Sequence, residues 1–249
     1  MDLHLRGKVA MVGGASSGMG FAIAEALARE GCVLSICARG KDALQDAAMK
    51  LGRYTSVQAS VLDLEQDSQS WVDATVAQQG RVDILVFNTG GPKPGNLAEL
   101  TEQDFMTAWQ ALMMPYVRLV KAAVPHMKGK GRIVALMSKS VKEPIDGLLL
   151  SNAVRSAIHA VQKSLSLQYS GITFNTVCPG MTDTRRLTEL AGARGDADMV
   201  KQDWAKQMPL GRLIRPEEVG ALVAFLCGEQ AAAITGQAIL IDGGGARGY

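Results

Sequence analysis

Lys8-Val9-Ala10-Met11-Val12-Gly13-Gly14-Ala15-Ser16-Ser17-Gly18-Met19-Gly20 leads straight into residues 21–30, and its reading decides the fold. The run opens apolar and of strand length, breaks into a glycine- and serine-rich turn, and continues as an alanine-rich segment that stops at Gly31. Strand, glycine turn and helix in that order form a phosphate cradle. The glycines let the backbone approach a pyrophosphate, and the helix start offers free N–H groups and the positive end of its dipole. A tight turn would also favour glycine. This one, however, stands at the first strand–helix junction of a chain that goes on alternating strands and helices. The candidate cradle residues are Gly14, Ser16, Ser17, Gly18, Met19 and Gly20.

Outward from this stretch the alternation repeats. Apolar runs at 9–12, 32–38, 55–61, 83–87, 131–137, 172–177 and 238–241 read as strands. Helical patterns fall at 17–30, 41–51, 68–79, 101–127, 150–169 and 216–226. Pro115 sits inside the fourth of these and is expected to kink or split it. Residues 93–100 and 138–149 read as loops, and 181–209 as a polar, partly helical flap. Near-continuous apolar strands alternating with helices predict an α/β fold. Its doubly wound parallel sheet has about seven strands, with helices on both faces, in a single domain of residues 1–249.

Composition narrows the function. Apolar residues make up 47% and charged residues 20%, and the net charge of +2 gives no case for nucleic acid or an anionic membrane as partner. No apolar run approaches the ~20 residues of a membrane helix, and residues 1–8 are too polar for a signal peptide. Cys32, Cys37, Cys178 and Cys227 are scattered in apolar surroundings without a CxxC pair, which points to buried thiols in a reducing, cytoplasmic setting. His4, His126 and His159 lie too far apart to suggest a metal site.

In such sheets ligands bind outside the carboxyl ends of the strands. An acidic residue after the second strand would hold the ribose 2′-hydroxyl of NAD. The chain instead reads Cys37-Ala38-Arg39, and Arg39 can meet a 2′-phosphate, so NADP is expected over NAD. As an alternative, Arg39 is a solvated turn residue.

The spacing Gly14-x-x-x-Gly18-x-Gly20 differs from the G-x-G-x-x-G fingerprint. It resembles the TGxxxGxG motif of the short-chain dehydrogenase/reductase family, with Gly13 where that family has Thr. The resemblance runs through nearly the whole chain and implies a Rossmann-type fold. It further implies that Asp63 and Leu64 contact adenine, although Asp63 could equally be a helix cap. Asn88-Thr89-Gly90 matches the segment after the fourth strand, with Thr89 in place of Ala or Asn, and places Asn88 and Gly90 by the cofactor. Pro179-Gly180-Met181-Thr182-Asp183-Thr184 resembles the family's PGxxxT segment. This puts Pro179, Gly180, Thr182 and Thr184 at the nicotinamide end. Ile241-Asp242-Gly243-Gly244 matches the family's tail.

The catalytic pattern departs from the family's. Common members carry a Ser after the fifth strand, Tyr-x-x-x-Lys on the next helix and an Asn on the preceding one. The Tyr exchanges a proton with the substrate oxygen, the Lys holds the cofactor ribose and lowers the Tyr pKa, and the Asn holds a water. Here Ser138 takes the serine position. Ser151-Asn152-Ala153-Val154-Arg155 puts Ser151 at the Tyr and Arg155 at the Lys, a register that allows about two residues of deletion near Tyr169 when counted back from Pro179. The Asn position falls near Leu112, within 110–113, and holds no Asn. A Tyr of pKa near 10 is tuned toward neutrality by a nearby cation, whereas an aliphatic hydroxyl is far harder to ionise. Arg155 can orient groups and stabilise charge without relaying a proton. Ser151 and Arg155 are four apart on one helix face, which keeps a ribose contact for Arg155 possible. The chain thus resembles a divergent branch with NTGGP after the fourth strand and SNxxR in the active-site helix.

Three readings follow. One is an NADP-dependent oxidoreductase acting on a carbonyl or secondary alcohol through Ser138, Ser151 and Arg155, with Lys139, Lys142 and Tyr249 near in sequence as further proton donors. Another is an NADP-binding sensor or partner subunit with little or no turnover. The third is a non-redox lyase or dehalogenase, against which the intact glycine cradle argues. Met113, Met114, Met137, Met181, Leu148 and Leu149 suggest an apolar lining for a small-molecule substrate, though helical Met is also common in cores. From the family, a homotetramer or homodimer is expected through the helices at 101–127 and 150–169, the latter carrying His159 and Gln162.

Overall fold

The computed structural model describes residues 1–248. Its strands are β1 (Val9–Gly13), β2 (Val33–Ala38), β3 (Val57–Val61), β4 (Ile84–Phe87), β5 (Gly131–Leu136), β6 (Ile172–Pro179) and β7 (Ala238–Ile241). They form one sheet in the order β3-β2-β1-β4-β5-β6-β7, and every neighbouring pair is parallel. The helices are α1 (Gly18–Arg29), α2 (Lys41–Leu51), α3 (Leu64–Gln79), α4 (Glu102–Ala108), α5 (Met114–Ala123), α6 (Leu149–Gln168), α7 (Arg185–Gly192), α8 (Ala197–Gln207) and α9 (Pro216–Cys227).

The strand pattern explains the two faces. Ala10 and Val12 of β1, Ile84 and Val86 of β4, and Val134 and Leu136 of β5 enter one buried cluster, covered by α1, α2 and α9. The alternate residues Met11, Leu85, Phe87, Ile133 and Ala135 enter the other, with Trp71 of α3, Tyr116 of α5 and Ile158 of α6. Successive side chains point to opposite faces, so a strand buried on both must be apolar throughout.

Winding outward from β1 through β2 to β3, the chain then returns to β4 on the other side of β1. The order reverses between β1 and β4, and ligands of such sheets bind outside the carboxyl ends at that switch point. The glycine turn after β1 and Asn88 after β4 flank it.

Two elements differ from the sequence reading. The expected helix at 68–79 begins at Leu64: Asp63 caps it by accepting from the Glu65 N–H at 3.1 Å, and Asp67 departs from helical geometry while bonding back to the Asp63 N–H. The segment at 101–127 divides into α4 and α5 with Pro115 in the first turn of α5, as the proline implied, but through a wider turn and not a loop. Residues Trp109–Met113 form a π turn between α4 and α5, in which the Met114 N–H reaches five residues back to the Trp109 carbonyl. Pro115 has no N–H to donate to the Ala111 carbonyl, and the wider turn absorbs that missing bond while the backbone stays helical.

Candidate active site

The turn between β1 and α1 is held by backbone geometry. Gly14 and Gly18 have φ of +60° and +57°, a region that side chains disfavour. A Cβ on Gly20 would lie 2.2 Å from the Gly14 carbonyl oxygen, so the turn can close only on a bare backbone. Asn88 locks it from the opposite strand, its Nδ2 donating to the carbonyls of Gly13 at 3.1 Å and Gly14 at 3.4 Å. Ser17 is the N-cap of α1 and makes no side-chain capping bond, which leaves the helix start for an incoming anion. Ser16 and Met19 are half-buried beside it. A cradle that closes only on bare glycine, ending in an uncapped helix start, fits a dinucleotide pyrophosphate.

On one side of the cradle, Arg39 follows β2 with its side chain 76% exposed and Nη1 3.9 Å from Asp63 Oδ2, which sets an exposed cation beside the end of β3. Leu64 is buried, and its Cδ1 lies 3.0 Å from where a Cβ on Gly13 would sit. Gly90 is exposed in the loop after β4.

On the other side lie the groups suited to chemistry. Ser138 follows β5, and its Oγ accepts from the Ser140 N–H at 3.2 Å as the cap of a short 3-10 turn. On α6, Ser151 and Arg155 are both 9% exposed, and Arg155 Nε donates to Ser151 Oγ at 3.0 Å. Nη1 of Arg155 reaches the Leu136 carbonyl at 3.5 Å, two residues before Ser138, and so ties α6 to the end of β5. Burial pushes the Arg155 guanidinium down to about 10, still protonated at neutral pH. Pro179 ends β6. The Gly180 N–H donates to the Ile241 carbonyl at 3.0 Å, and Thr182 Oγ1 donates to the Gly180 carbonyl at 3.1 Å. Thr184 caps α7, and its methyl group lies 3.5 Å from where a Cβ on Gly18 would sit, which brings the flap onto the cradle.

The predicted site residues therefore gather at the carboxyl edge of the sheet, with corrections at the periphery. Met113 and Met137 belong to the core, whereas Met114, Met181, Leu148 and Leu149 are half-buried. Leu112 in the π turn is buried and apolar. Gln162 does not face outward: it is fully buried, accepting from Tyr116 Oη at 2.8 Å and donating to the Asn175 carbonyl at 2.7 Å. His159 Nδ1 pairs with Thr176 Oγ1 at 3.0 Å, and burial together with Lys142 and Lys163 lowers its pKa. All four cysteines are free and buried. Burial pushes the Cys178 thiol, near the end of β6, up to about 12, which disfavours the thiolate at neutral pH. Tyr249 lies outside the described residues. Sequence reasoning placed Asn88 by the cofactor but missed its clamp on Gly13 and Gly14, 75 and 74 residues away, and it missed that Gly91, within the same NTGGP segment, lies beside Arg155. A separate cavity of about 440 Å³, lined by Lys8, Asp83, Lys130 and Arg132 among others, opens at the amino ends of the strands, away from this site. Among the described residues no cluster suits a metal ion, and no helix is long and apolar enough to cross a membrane.

A family model described as enoyl-(acyl carrier protein) reductase matches residues 14–245. Oxidoreductase UcpA of Salmonella typhimurium is 35% identical over 255 residues, covering 96% of this chain and 95% of that protein. The chain belongs to the short-chain dehydrogenase/reductase family. Among solved structures of this family, L-sorbose reductase from Gluconobacter frateurii, complexed with NADPH and L-sorbose, is 30% identical with a TM-score of 0.96 over 100% of both chains. A short chain oxidoreductase from Pseudomonas aeruginosa PAO1, NADPH-bound and described as containing an atypical catalytic center, is 26% identical with a TM-score of 0.90, over 97% of this chain and 98% of that one. The short-chain dehydrogenase/reductase fold is thus complete here, down to the seventh strand.

Proposed function

We propose that this chain is an NADPH-dependent short-chain reductase of a small-molecule carbonyl compound, with a non-standard catalytic centre built from Ser138, Ser151 and Arg155. It acts as a single domain in which the 181–209 flap covers the substrate side. Gly14, Ser16, Ser17, Gly18, Met19 and Gly20 hold the pyrophosphate. Arg39 holds the 2′-phosphate, and Asp63 and Leu64 flank the adenine. Asn88 and Gly90 shape the crevice floor, and Pro179, Gly180, Thr182 and Thr184 hold the nicotinamide end. Bound NADPH would supply a hydride to the carbonyl carbon, and solvent water the proton that completes the alcohol. Ser138 and Ser151 donate hydrogen bonds to the carbonyl oxygen, and Arg155 brings positive charge toward the oxygen as it becomes negative.

The observation that carries this reading is the 3.0 Å bond from Arg155 Nε to Ser151 Oγ at the same strand edge as the glycine cradle. Because Arg155 Nε donates that bond and Ser151 Oγ accepts it, the Ser151 hydroxyl proton is not used in the pair and can point at substrate. The same pair favours a second reading, an NADPH-binding protein with little turnover, since neither group gives up a proton at neutral pH. Titration of NADPH by fluorescence, followed by NADPH oxidation with a panel of ketones, separates the two. Tight binding with carbonyl-dependent oxidation supports the reductase; tight binding without it leaves the sensor; no binding removes both.

Assembly belongs to the same proposal. Phe105, Met106 and Trp109 around α4 are 37%, 56% and 42% exposed, and Leu167 on α6 is 81% exposed. These apolar surfaces support a homotetramer or homodimer through α4, α5 and α6, and a monomer mass by light scattering refutes it.

A further inference from the structure

We propose that Arg155 anchors an anionic group of the substrate, a carboxylate carried on the same molecule as the carbonyl. This rests on the reductase reading above and names its substrate class.

Arg155 is the one buried basic side chain among the described residues. The two buried acids are engaged elsewhere. Asp83 pairs with Arg81 and accepts from the Val9 N–H at 2.8 Å, and Asp242 accepts from the Gly244 and Ala246 N–H groups in the tail. No carboxylate among the described residues comes within 4.0 Å of the Arg155 guanidinium.

Its neighbours are all neutral: the Ser151 hydroxyl on Nε, the Leu136 carbonyl on Nη1, and Met137 Sδ at 4.0 Å from Nη1. Nη2 makes no hydrogen bond among the described residues. It lies 3.7 Å from where a Cβ on Gly91 would sit, and Gly91 is exposed in the loop after β4. Nε and Nη1 are therefore engaged by protein, while Nη2, shared by both bidentate edges of the guanidinium, faces an open loop at the cleft.

Neutral partners satisfy hydrogen bonds without cancelling charge. A buried cation is compensated only by an anion, and a guanidinium prefers a planar oxyanion that takes two N–H groups at once. A ribose hydroxyl would occupy Nη2 but leave the charge in place. A substrate carboxylate meets both needs and would fix the carbonyl relative to Ser138 and Ser151.

The test is calorimetric binding to the NADPH-saturated protein of pyruvate, acetoacetate and 4-oxopentanoate, each against its ethyl ester. The three acids place the carboxylate at increasing separation from the carbonyl. At least one acid is expected to bind about ten-fold or more tighter than its ester. Arg155→Gln should erase that gap, with Arg155→Met as the substitute if the Gln variant does not fold. Arg155→Lys, which keeps the charge and loses the fork, should retain part of it. Esters binding as tightly as acids, no acid binding at millimolar concentration, or a gap that survives in Arg155→Gln would each overturn the proposal. Failure of the reductase reading looks different: acids bind in preference to esters, yet no ketone supports NADPH oxidation.

Discussion

The glycine turn after β1 and the Ser151–Arg155 pair on α6 stand at the same edge of one sheet and are built on opposite terms. The turn is made of backbone. Its shape depends on positive φ at Gly14 and Gly18 and on a Gly20 position where a Cβ would lie 2.2 Å from the Gly14 oxygen. The α6 pair is made of side chains on an ordinary helix, where other residues would leave the backbone undisturbed. The first region tolerates almost no substitution without changing shape. The second can change its chemistry while the fold stays the same. The proposed centre, with Ser151 and Arg155 on the family fold, is what that asymmetry would permit.

The largest predicted effect breaks the backbone side of this comparison. Gly20→Ala puts a methyl group into the Gly14 carbonyl, a clash that only backbone movement relieves. We expect NADPH affinity to fall by at least about 100-fold with a stability loss above ~3 kcal/mol, in the range reserved for strained or overpacked sites. Gly192→Ala, where a Cβ meets nothing within 4 Å, is the matched control and should stay within about 1 kcal/mol of wild type. Thermal melts and NADPH titration of both variants check the contrast. Equal behaviour would mean that the turn is more plastic than its geometry indicates.

The next effect addresses the side-chain region. Simple ketones should be reduced slowly by the wild type, because no group at Ser151 or Arg155 delivers a proton near neutral pH. Ser151→Tyr with Arg155→Lys should raise that rate by roughly 10²-fold, the low end of what general acid–base catalysis contributes. Each single change should do less, since Tyr needs the cation and Lys needs the Tyr. Rapid wild-type turnover lost in the double variant would show instead that Ser151 and Arg155 form a working pair.

The two regions also differ in how much of them the sequence revealed. The cradle was legible because a strand, a glycine turn and a helix leave a local pattern in thirteen residues. The seven strands were legible because burial on both faces makes each one an apolar run. What stayed hidden is long-range. Asn88 grips Gly13 and Gly14 from across the β1–β4 switch, and nothing near Asn88 announces that grip. Gln162 lies on a helical face that could serve an interface, yet it closes a buried network with Tyr116 and Asn175. Pro115 signalled trouble for its helix correctly. That the division takes the form of a π turn, with Leu112 and Met113 buried in it, is something no local rule encodes. Ser151 and Arg155 were visible as a pair four residues apart; the missing counter-ion of Arg155 was not.

A smaller effect sharpens the boundary between the regions. Arg39 is a side-chain feature at the cradle end, exposed and 3.9 Å from Asp63. NADPH should bind several-fold to about ten-fold tighter than NADH, and Arg39→Asp should reverse the order. Because the side chain is 76% exposed, the preference should shrink as salt rises. Equal wild-type affinities for the two cofactors would remove Arg39 from the site.

The smallest effect concerns the energetics of Arg155 itself. Burial lowers its guanidinium from the usual arginine value to about 10 with no acid to offset it. Because the folded-state value lies below the unfolded one, the unfolded chain binds the extra proton more readily between those two pH values. Holding the charge buried is thus a cost to stability that is fully present below pH 10, of about 3 kcal/mol as an upper figure. It eases as pH rises through the folded value. Arg155→Met keeps the apolar stem and removes the charge, but it gives up the bonds to Ser151 and Leu136 and leaves Ser151 Oγ without that donor. Those losses cancel part of the gain, so a net stabilisation of about 1 kcal/mol is expected, or roughly 2–4 °C in melting temperature for a chain of this size. The gap between variant and wild type should narrow when the melts are repeated toward pH 10.5, as the wild type sheds its buried charge. A variant less stable than wild type at neutral pH would show that the neutral partners of Arg155 already compensate its charge, and the side-chain region would then be as tightly determined as the glycine turn.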